Sequence, residues 1–209
     1  KLSFISPPGE GMHHQIQLVQ LGNIKSNVQL FSYDPPVLQR LSTKTSNTAG
    51  NGVLTVFGSN FGENPKIQFV YRKLETINET SKNNTNKAVA SPRQLDETEG
   101  SEESSHIVIT KVELCDLVPG EQTHESASCF IPEGQGNLHL VQIEAAGQIS
   151  PGLPFGYDPP VLTSITPESG DTKGNFNVTL TGFNFGLKAE LKIGNATATV
   201  VAQNHTHLV

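Results

Sequence analysis

Residues 155–186 read FGYDPPVLTSITPESGDTKGNFNVTLTGFNFG, and residues 31–62 read FSYDPPVLQRLSTKTSNTAGNGVLTVFGSNFG. The two stretches align without a gap at a shift of 124 positions, and 15 of the 32 columns are identical. Unrelated sequences would share only a few of these positions. The chain therefore contains an internal duplication, which predicts one structural unit used more than once.

The duplication extends backwards from these stretches. IQLVQL at 16–21 aligns with LHLVQI at 138–143, and each follows a Pro/Gly turn, PPGEG in one case and PEGQG in the other. We therefore divide the chain into the last strands of a first repeat (1–33), a complete second repeat (34–157) and the opening part of a third repeat (158–209).

Alternating apolar and polar residues predict strands. In FNVTL at 176–180 every second residue is apolar, as a half-buried strand requires, so Asn177 should point to solvent. Leu54 and Val56 give the same inward parity in the second repeat. With 19 glycines, 13 prolines and no helical apolar period, the composition favours short strands and turns.

The turns are predicted by residue type. GSNFG at 58–62 and GFNFG at 182–186 contain Gly and Asn, which accept a positive φ, and a Phe that can close the end of a sandwich. The alternation of apolar residues in LHLVQI changes phase midway, from Leu138 and Leu140 to Val141 and Ile143, which predicts a β-bulge. Asp-Pro-Pro should end the last strand and stiffen the junction, because proline donates no ladder hydrogen bond.

The run from Tyr157 to Gly186 resembles the IPT/TIG domain, in its Tyr-Asp-Pro-Pro-Val-Leu start and its Gly-x-Asn-Phe-Gly end. This resemblance implies tandem immunoglobulin-like β-sandwiches of the early-set type, an all-β fold. The family occurs in plexins and related receptors, fibrocystin-like ciliary proteins, protist surface proteins, Rel-type transcription factors and some starch-acting enzymes. The motif is therefore specific for fold and uninformative about function.

Cys115 and Cys129 are the two cysteines, and the residues alone leave two interpretations open. They are free thiols of a cytosolic protein, or a disulfide closing a loop of about 15 residues, worth about 3 kcal/mol in an oxidising compartment. The resemblance implies the disulfide, because extracellular members pair a mid-domain Cys with one just before the Pro-x-Gly-x-Gly turn. Ser3-Phe4 stands where Cys129-Phe130 would be, so the first repeat lacks one half of that bond.

Asn-x-Ser/Thr sequons indicate N-linked glycans and, beside the cysteine pair, an extracellular or cell-surface location. They lie at Asn78, Asn83, Asn177, Asn195 and Asn204.

A polar stretch at about 72–106 interrupts the second repeat between two strands. It is rich in Ser, Thr, Asn and Glu and buries too little apolar area to offset its ordering entropy, so we expect a solvated loop. It is either a tolerated surface insertion or a glycan-bearing arm that contacts a protein partner. Its acidic run at 96–103 lacks the ligand spacing of a calcium loop.

Charge and hydropathy disfavour several classes of protein. The net charge of −6 and the absence of a basic stripe disfavour nucleic-acid binding. No apolar run reaches 18 residues, so this segment predicts no membrane span. Its first residues, KLSF, are typical of mature or internal sequence.

Catalytic and metal-binding patterns are not apparent. His205 and His207 would share one face of a strand, yet solvated histidines are a better interpretation than a metal pair. No Ser/His/Asp, Cys/His or paired-carboxylate arrangement stands out. We therefore predict a non-enzymatic protein without catalytic residues, metal or cofactor.

The favoured function is an extracellular structural or adhesive glycoprotein segment, in which stacked repeats form a stalk, coat or filament. The expected partners are neighbouring repeats or other copies of the chain, N-linked glycans and a protein on the surface loop. The two partial repeats belong either to a longer repeat protein or to split domains completed head to tail between subunits. The alternatives are a plexin-like or fibrocystin-like receptor ectodomain and, less favoured because aromatics are few, a carbohydrate-binding module.

Overall fold

The computed structural model describes residues 2–76 and 105–209, and within these ranges every regular element is a β-strand. No helix in the described ranges is long and apolar enough to cross a membrane. The first repeat contributes β1 (His14–Ile16), β2 (Val19–Gln20), β3 (Ile24–Lys25) and β4 (Gln29–Phe31). β1 pairs with β4, and β2 pairs with β3, both antiparallel.

The second repeat contains two sheets. Its strands are β5 (Val37–Leu41), β6 (Thr45–Ser46), β7 (Val53–Ser59), β8 (Lys66–Thr76), β9 (Ser105–Leu114), β10 (Ser126–Phe130), β11 (His139–Ala145), β12 (Gln148–Ile149) and β13 (Leu153–Tyr157). One sheet has the order β10-β7-β5, and the other has the order β6-β13-β11-β8-β9 with β12 beside β11. Only β6 and β13 pair in parallel among these strands of the described chain. The arrangement is an immunoglobulin-like β-sandwich, which confirms the predicted fold class.

The core of the second repeat lies between these sheets. Leu54 and Val56 of β7 are fully buried, as their parity predicted, and face Phe69, Val141 and Ile143 of the other sheet, which are also fully buried. A fully buried side chain of this size stabilises the fold by about 1.5–3 kcal/mol relative to an exposed one. The core is therefore the main stabilising feature of this repeat.

The Asn-Phe-Gly turn adopts the predicted conformation in both repeats. Asn60 has a φ of 60° and Asn184 a φ of 60°, while the glycines two positions later have 75° and 74°. Phe61 is fully buried at the end of the sandwich. Gly58 is required for a different reason, since a Cβ there would lie 1.9 Å from the carbonyl oxygen of Val37.

The third repeat has the same topology as the second over the part that it spans. Its strands are β14 (Val161–Thr166), β15 (Thr179–Phe183), β16 (Leu191–Ile193), β17 (Ala196–Ala198) and β18 (His207–Leu208). The sheet β14-β15-β18 corresponds to β5-β7-β10, and the hairpin β16-β17 corresponds to β8-β9. Both repeats shift register at the same place, between Leu38 and Arg40 in one and between Leu162 and Ser164 in the other. The internal duplication is thus structural as well as sequential.

The β-bulge predicted at 138–143 is wrong. β11 pairs with β8 in unbroken register from His139 to Glu144. The inward residues are His139, Val141 and Ile143, whereas Leu140 is only half-buried on the outer face. The parity was misjudged because a histidine, and not the neighbouring leucine, occupies the inward position.

The strand predicted at 176–180 begins later, at Thr179. Gly174 and Asn175 have positive φ, 69° and 60°, and follow a turn in which the Gly174 N–H donates to the Asp171 carbonyl. Phe176 is 44% exposed and lies over Gly170, where a Cβ would meet its ring at 1.8 Å. Asn177 is exposed, as expected.

Both ends of the predicted polar insertion lie in strands. β8 runs on to Thr76 and pairs with β9 as far as Ser105, with one register shift beside Tyr71. The third repeat has a two-residue turn, Gly194-Asn195, at the corresponding hairpin tip. The insertion therefore lengthens an existing hairpin, and its acidic run lies outside the described residues.

Candidate functional site

In the first and second repeats, a tyrosine at the end of the last strand, or just after it, forms a hydrogen bond to the Pro/Gly turn. The Tyr157 hydroxyl donates a hydrogen bond to the carbonyl of Pro132 at 2.9 Å, and the Tyr33 hydroxyl does the same to Pro7 at 2.8 Å. Gly134 lies against the Tyr157 ring, where a Cβ would come within 2.4 Å of ring carbon. The turn cannot approach the ring this closely with any larger residue.

A histidine holds the other side of the same turn. His139 Nε2 lies 2.6 Å from the carbonyl of Gln135, and His14 Nε2 lies 2.8 Å from the carbonyl of Glu10. The His139 ring packs between Tyr71 and Tyr157, with centroid distances of 4.7 and 5.8 Å. Burial lowers the pKa of His139, so its imidazole is neutral and Nε2 carries the proton that the carbonyl accepts. Its buried Nδ1 has no hydrogen-bond partner in the described structure.

Two buried hydroxyls complete this end of the second repeat. The oxygens of Tyr71 and Tyr157 lie 3.2 Å apart. Burial raises the pKa of Tyr157, and it also raises that of Tyr71. Both phenols therefore stay protonated and act as hydrogen-bond donors. Their hydroxyls bond to carbonyls of the turn that contains Gln135 and hold its backbone in place.

The projecting side chain reaches the next repeat. Gln135 Oε1 accepts hydrogen bonds from the backbone N–H groups of Leu187 and Lys188, at 2.6 and 2.7 Å. Gln135 Nε2 donates to the carbonyl of Lys188 at 2.9 Å. One side chain of the second repeat thus satisfies three backbone groups that follow the Asn-Phe-Gly turn of the third.

The first repeat makes the corresponding contact to the second. Glu10 precedes the last glycine of PPGEG as Gln135 does in PEGQG, and Glu10 Oε2 accepts a hydrogen bond from the Glu63 N–H at 3.1 Å. Glu63 corresponds to Leu187 at the shift of 124. The same pair of turns therefore meets at both junctions, through a carboxylate at one and an amide at the other.

This contact also favours glycine as the last residue of the Asn-Phe-Gly turn. A Cβ at Gly62 would lie 1.7 Å from Glu10 Oε2, and a Cβ at Gly186 would lie 2.6 Å from Gln135 Oε1. Both glycines also have positive φ. Two independent requirements, conformation and close approach, thus favour glycine at this position.

The same turn also holds the proline linker. Asn60 Nδ2 donates to the carbonyl of Pro35 at 3.2 Å, and Asn184 Nδ2 donates to that of Pro159 at 3.4 Å. Linker and turn are therefore joined on the same side of each junction. Proline fixes its own φ, so the linker adds stiffness to these contacts.

Further contacts differ between the two junctions. His205 Nδ1 lies 2.9 Å from Thr48 Oγ1, and its Nε2 lies 3.5 Å from Glu133 Oε2. His205 precedes β18 and faces the second repeat, whereas His207 begins that strand. The two histidines therefore do not lie on one strand, which was the condition for sharing a strand face. The described residues contain no group of three His, Cys, Asp or Glu side chains that could hold a metal ion.

A cleft of about 850 Å³ lies at the junction of the second and third repeats. Tyr157, Pro159, Leu162, Phe185 and Leu191 are among its lining residues. In the second repeat, β11 and β13 cover the equivalent face. The cleft borders the core of the third repeat, since Leu180, Phe185 and Leu208 belong to both.

The structure contains the disulfide between Cys115 and Cys129. Cys115 follows β9 of the larger sheet and Cys129 lies in β10 of the smaller one, so the bond joins the two sheets. Both residues are buried. In the second repeat, Cys115 lies opposite Ile67 and its N–H donates to the Ile67 carbonyl. In the third repeat, Ala198 lies opposite Leu191, which corresponds to Ile67. Ala198 therefore takes the place of Cys115.

Three of the predicted glycosylation sites lie on the described surface. Asn177, Asn195 and Asn204 are exposed. Asn195 lies in the β16–β17 turn, and Asn204 Oδ1 accepts hydrogen bonds from the Thr206 N–H and hydroxyl. Asn78 and Asn83 lie outside the described residues. Glycosylation at all five positions stays a prediction.

Sequence reasoning missed Glu10 and Gln135. They differ in identity, so the repeat alignment gave them no weight. The available signal was that both are long side chains with an acceptor oxygen, at the same place in a Pro-x-Gly-x-Gly turn.

A protein-family match supports the fold. The family model of the IPT/TIG domain matches residues 36–157 and 160–209. The chain is also similar to a solved structure of the plexin A4 full extracellular region, with 14% sequence identity and a TM-score of 0.32 over 83% of this chain. The chain spans 15% of the length of that plexin structure.

Proposed function

The chain belongs to the IPT/TIG domain family, and we propose that it is a structural segment of an extracellular glycoprotein, in which immunoglobulin-like repeats stack end to end as a stalk or surface array. The observation that carries this proposal is the recurrence of one junction. At both boundaries the Pro/Gly turn of one repeat contacts the Asn-Phe-Gly turn of the next.

The extracellular location is supported by the disulfide and by the exposed sequons. A disulfide that joins two sheets persists in an oxidising compartment and is rare in the cytosol. The exposed asparagines at 177, 195 and 204 leave room for a glycan. Digestion of the secreted protein with a glycosidase, followed by peptide mass mapping, tests this part: absence of any modified asparagine would contradict it.

The stalk role rests on stiffness at the junctions. A side chain bonded to the backbone of the next repeat and a proline linker bonded to the same turn leave little freedom for bending. Neighbouring domains in one chain otherwise move relative to each other by default. The recurrence of the contact therefore favours a load-bearing or spacing role.

Small-angle X-ray scattering of the chain tests this role. A compact particle of 209 residues would have a radius of gyration of about 17 Å. A stalk requires a clearly larger value and a distance distribution with an extended tail. A value near the compact limit would refute the proposal.

A matched variant makes the scattering experiment sharper. Pro159→Gly together with Pro160→Gly loosens the linker and keeps a backbone carbonyl at position 159 as the acceptor for Asn184. We expect the distance distribution to broaden relative to the unsubstituted chain. An unchanged distribution would show that the linker prolines do not contribute to the stiffness of the junction.

A further inference from the structure

We infer that the residue between the two glycines of the Pro-x-Gly-x-Gly turn, Glu10 or Gln135, is the determinant that docks each repeat onto the Asn-Phe-Gly turn of the next. The docking partner is defined chemically by the backbone N–H groups that follow a glycine with positive φ. These are the N–H of Glu63 at the first junction and the N–H groups of Leu187 and Lys188 at the second. This inference rests on the proposed function and deepens it, because it specifies which residue fixes the relative orientation of consecutive repeats.

The first support is that the turn is rigid before it meets its partner. The tyrosine hydroxyl bonds to the first proline of the turn, and the histidine bonds to the carbonyl of the docking residue itself. Both bonds recur in the first repeat. The docking side chain therefore starts from a fixed backbone, which lowers the entropy that docking costs.

The second support is complementarity at the receiving turn. The N–H groups of residues 187 and 188 converge on one oxygen, at 2.6 and 2.7 Å. Consecutive N–H groups that point to one place form a concave binding site for an oxygen acceptor. The adjoining glycine lacks the Cβ that would fill the space taken by that oxygen.

The third support is that two different residues make the contact. A carboxylate and an amide share only an acceptor oxygen on a chain of the same length. Since both occupy the same place at the two junctions, the common requirement is the acceptor and not the charge. A long side chain without an acceptor should fit the space and fail to dock.

Amide hydrogen exchange in the ¹⁵N-labelled full chain tests the inference. Gln135→Met keeps the length of the side chain and removes the acceptor, so the exchange of the Leu187 and Lys188 amides should accelerate about fivefold, as expected for one lost hydrogen bond. Gln135→Glu, which copies Glu10, should retain most of the protection. Gln135 is exposed, so these variants keep the core of the second repeat intact.

The first junction gives an independent replicate. Glu10→Met should accelerate exchange of the Glu63 amide, and Glu10→Gln should retain its protection. Gln39→Met is the matched control, since Gln39 is exposed on β5, and it should change none of these amides. Equal exchange in Gln135→Met and the unsubstituted chain would overturn the inference, as would an equal loss in the Met and Glu variants.

The orientation of the repeats provides the second readout. Residual dipolar couplings of the second and third repeats should fit one alignment tensor in the unsubstituted chain and two in Gln135→Met. If they still fit one tensor while the amides exchange faster, the docking residue does not set the joint, and the inference fails although the stalk stands. If the amides are protected but scattering shows a compact particle, the proposed function fails and the docking contact stands.

Discussion

Reduction of the disulfide between Cys115 and Cys129 should lower the stability of the second repeat by about 3 kcal/mol and leave its fold intact. The two cysteines are 14 positions apart. Cross-linking a loop of about 15 residues removes conformational entropy worth about 3 kcal/mol from the unfolded chain. The folded state loses little, because the buried side chains of both sheets remain in contact when the bond opens.

The measurement is unfolding with and without a reductant, followed by circular dichroism and by the NMR signals of β7 and β11. The NMR signals report on the second repeat alone, whereas circular dichroism reports on the whole chain. The distinction matters because a chain of several repeats does not unfold in two states. For a domain of this size a loss of about 3 kcal/mol lowers the melting temperature by about 15 °C. The slope of stability against denaturant should increase, since the reduced unfolded chain exposes more surface.

Two controls separate the entropic effect from damage to the core. The variant Cys115→Ala with Cys129→Ala should not respond to reductant and should resemble the reduced protein, apart from about 1 kcal/mol for the volume of the lost sulfurs. Mass spectrometry must confirm that the thiols have formed. Equal melting temperatures in the oxidised and reduced protein would refute the entropic argument. Complete unfolding on reduction would refute the assignment of stability to the core.

Three further predictions concern single positions. Phe61→Ala should cost about 3–5 kcal/mol in thermal unfolding, because Phe61 is fully buried in the larger core cluster. Phe185→Ala should cost less, because Phe185 packs in a smaller cluster of buried residues; the reverse order would contradict this. Because burial lowers the pKa of His139, the unfolded chain binds a proton first as pH falls through about 6.5, so stability should decrease from there down to the folded pKa. His139→Phe should remove that part of the pH dependence in urea titrations, and an unchanged slope would show that His139 is not its source. Asn195→Gln should lower the mass of the secreted protein by one glycan, and an unchanged mass would show that Asn195 is unmodified.

Much of the fold was predictable from the sequence because it depends on local chemistry. The inward parity of Leu54 and Val56 and the positive φ of Asn60 and Gly62 follow from residue type and spacing alone. The same is true of Phe61 at the sandwich end. These features require no knowledge of which strands meet.

The sequence-based predictions were wrong where tertiary contacts decide whether a side chain points into the core or how far a strand extends. His139 is buried because it packs between the rings of Tyr71 and Tyr157, and both tyrosines are distant from it in sequence. Leu140 is displaced to the outer face as a result. The extension of β8 to Thr76 likewise depends on pairing with β9, across a polar segment that gives no strand signal.

The sequence by itself determined that the chain repeats one structural unit, because a duplication and its turn residues are visible without coordinates, and the resemblance to the IPT/TIG domain implied that this unit is immunoglobulin-like. Only the tertiary structure decided how consecutive units meet. Docking joins Glu10 to Glu63 and Gln135 to Leu187, which are 53 and 52 positions apart. Contacts between residues so far apart in sequence depend on where the turns lie in space. The docking residue is also Glu in one repeat and Gln in the other, so a sequence alignment shows no identity at this position.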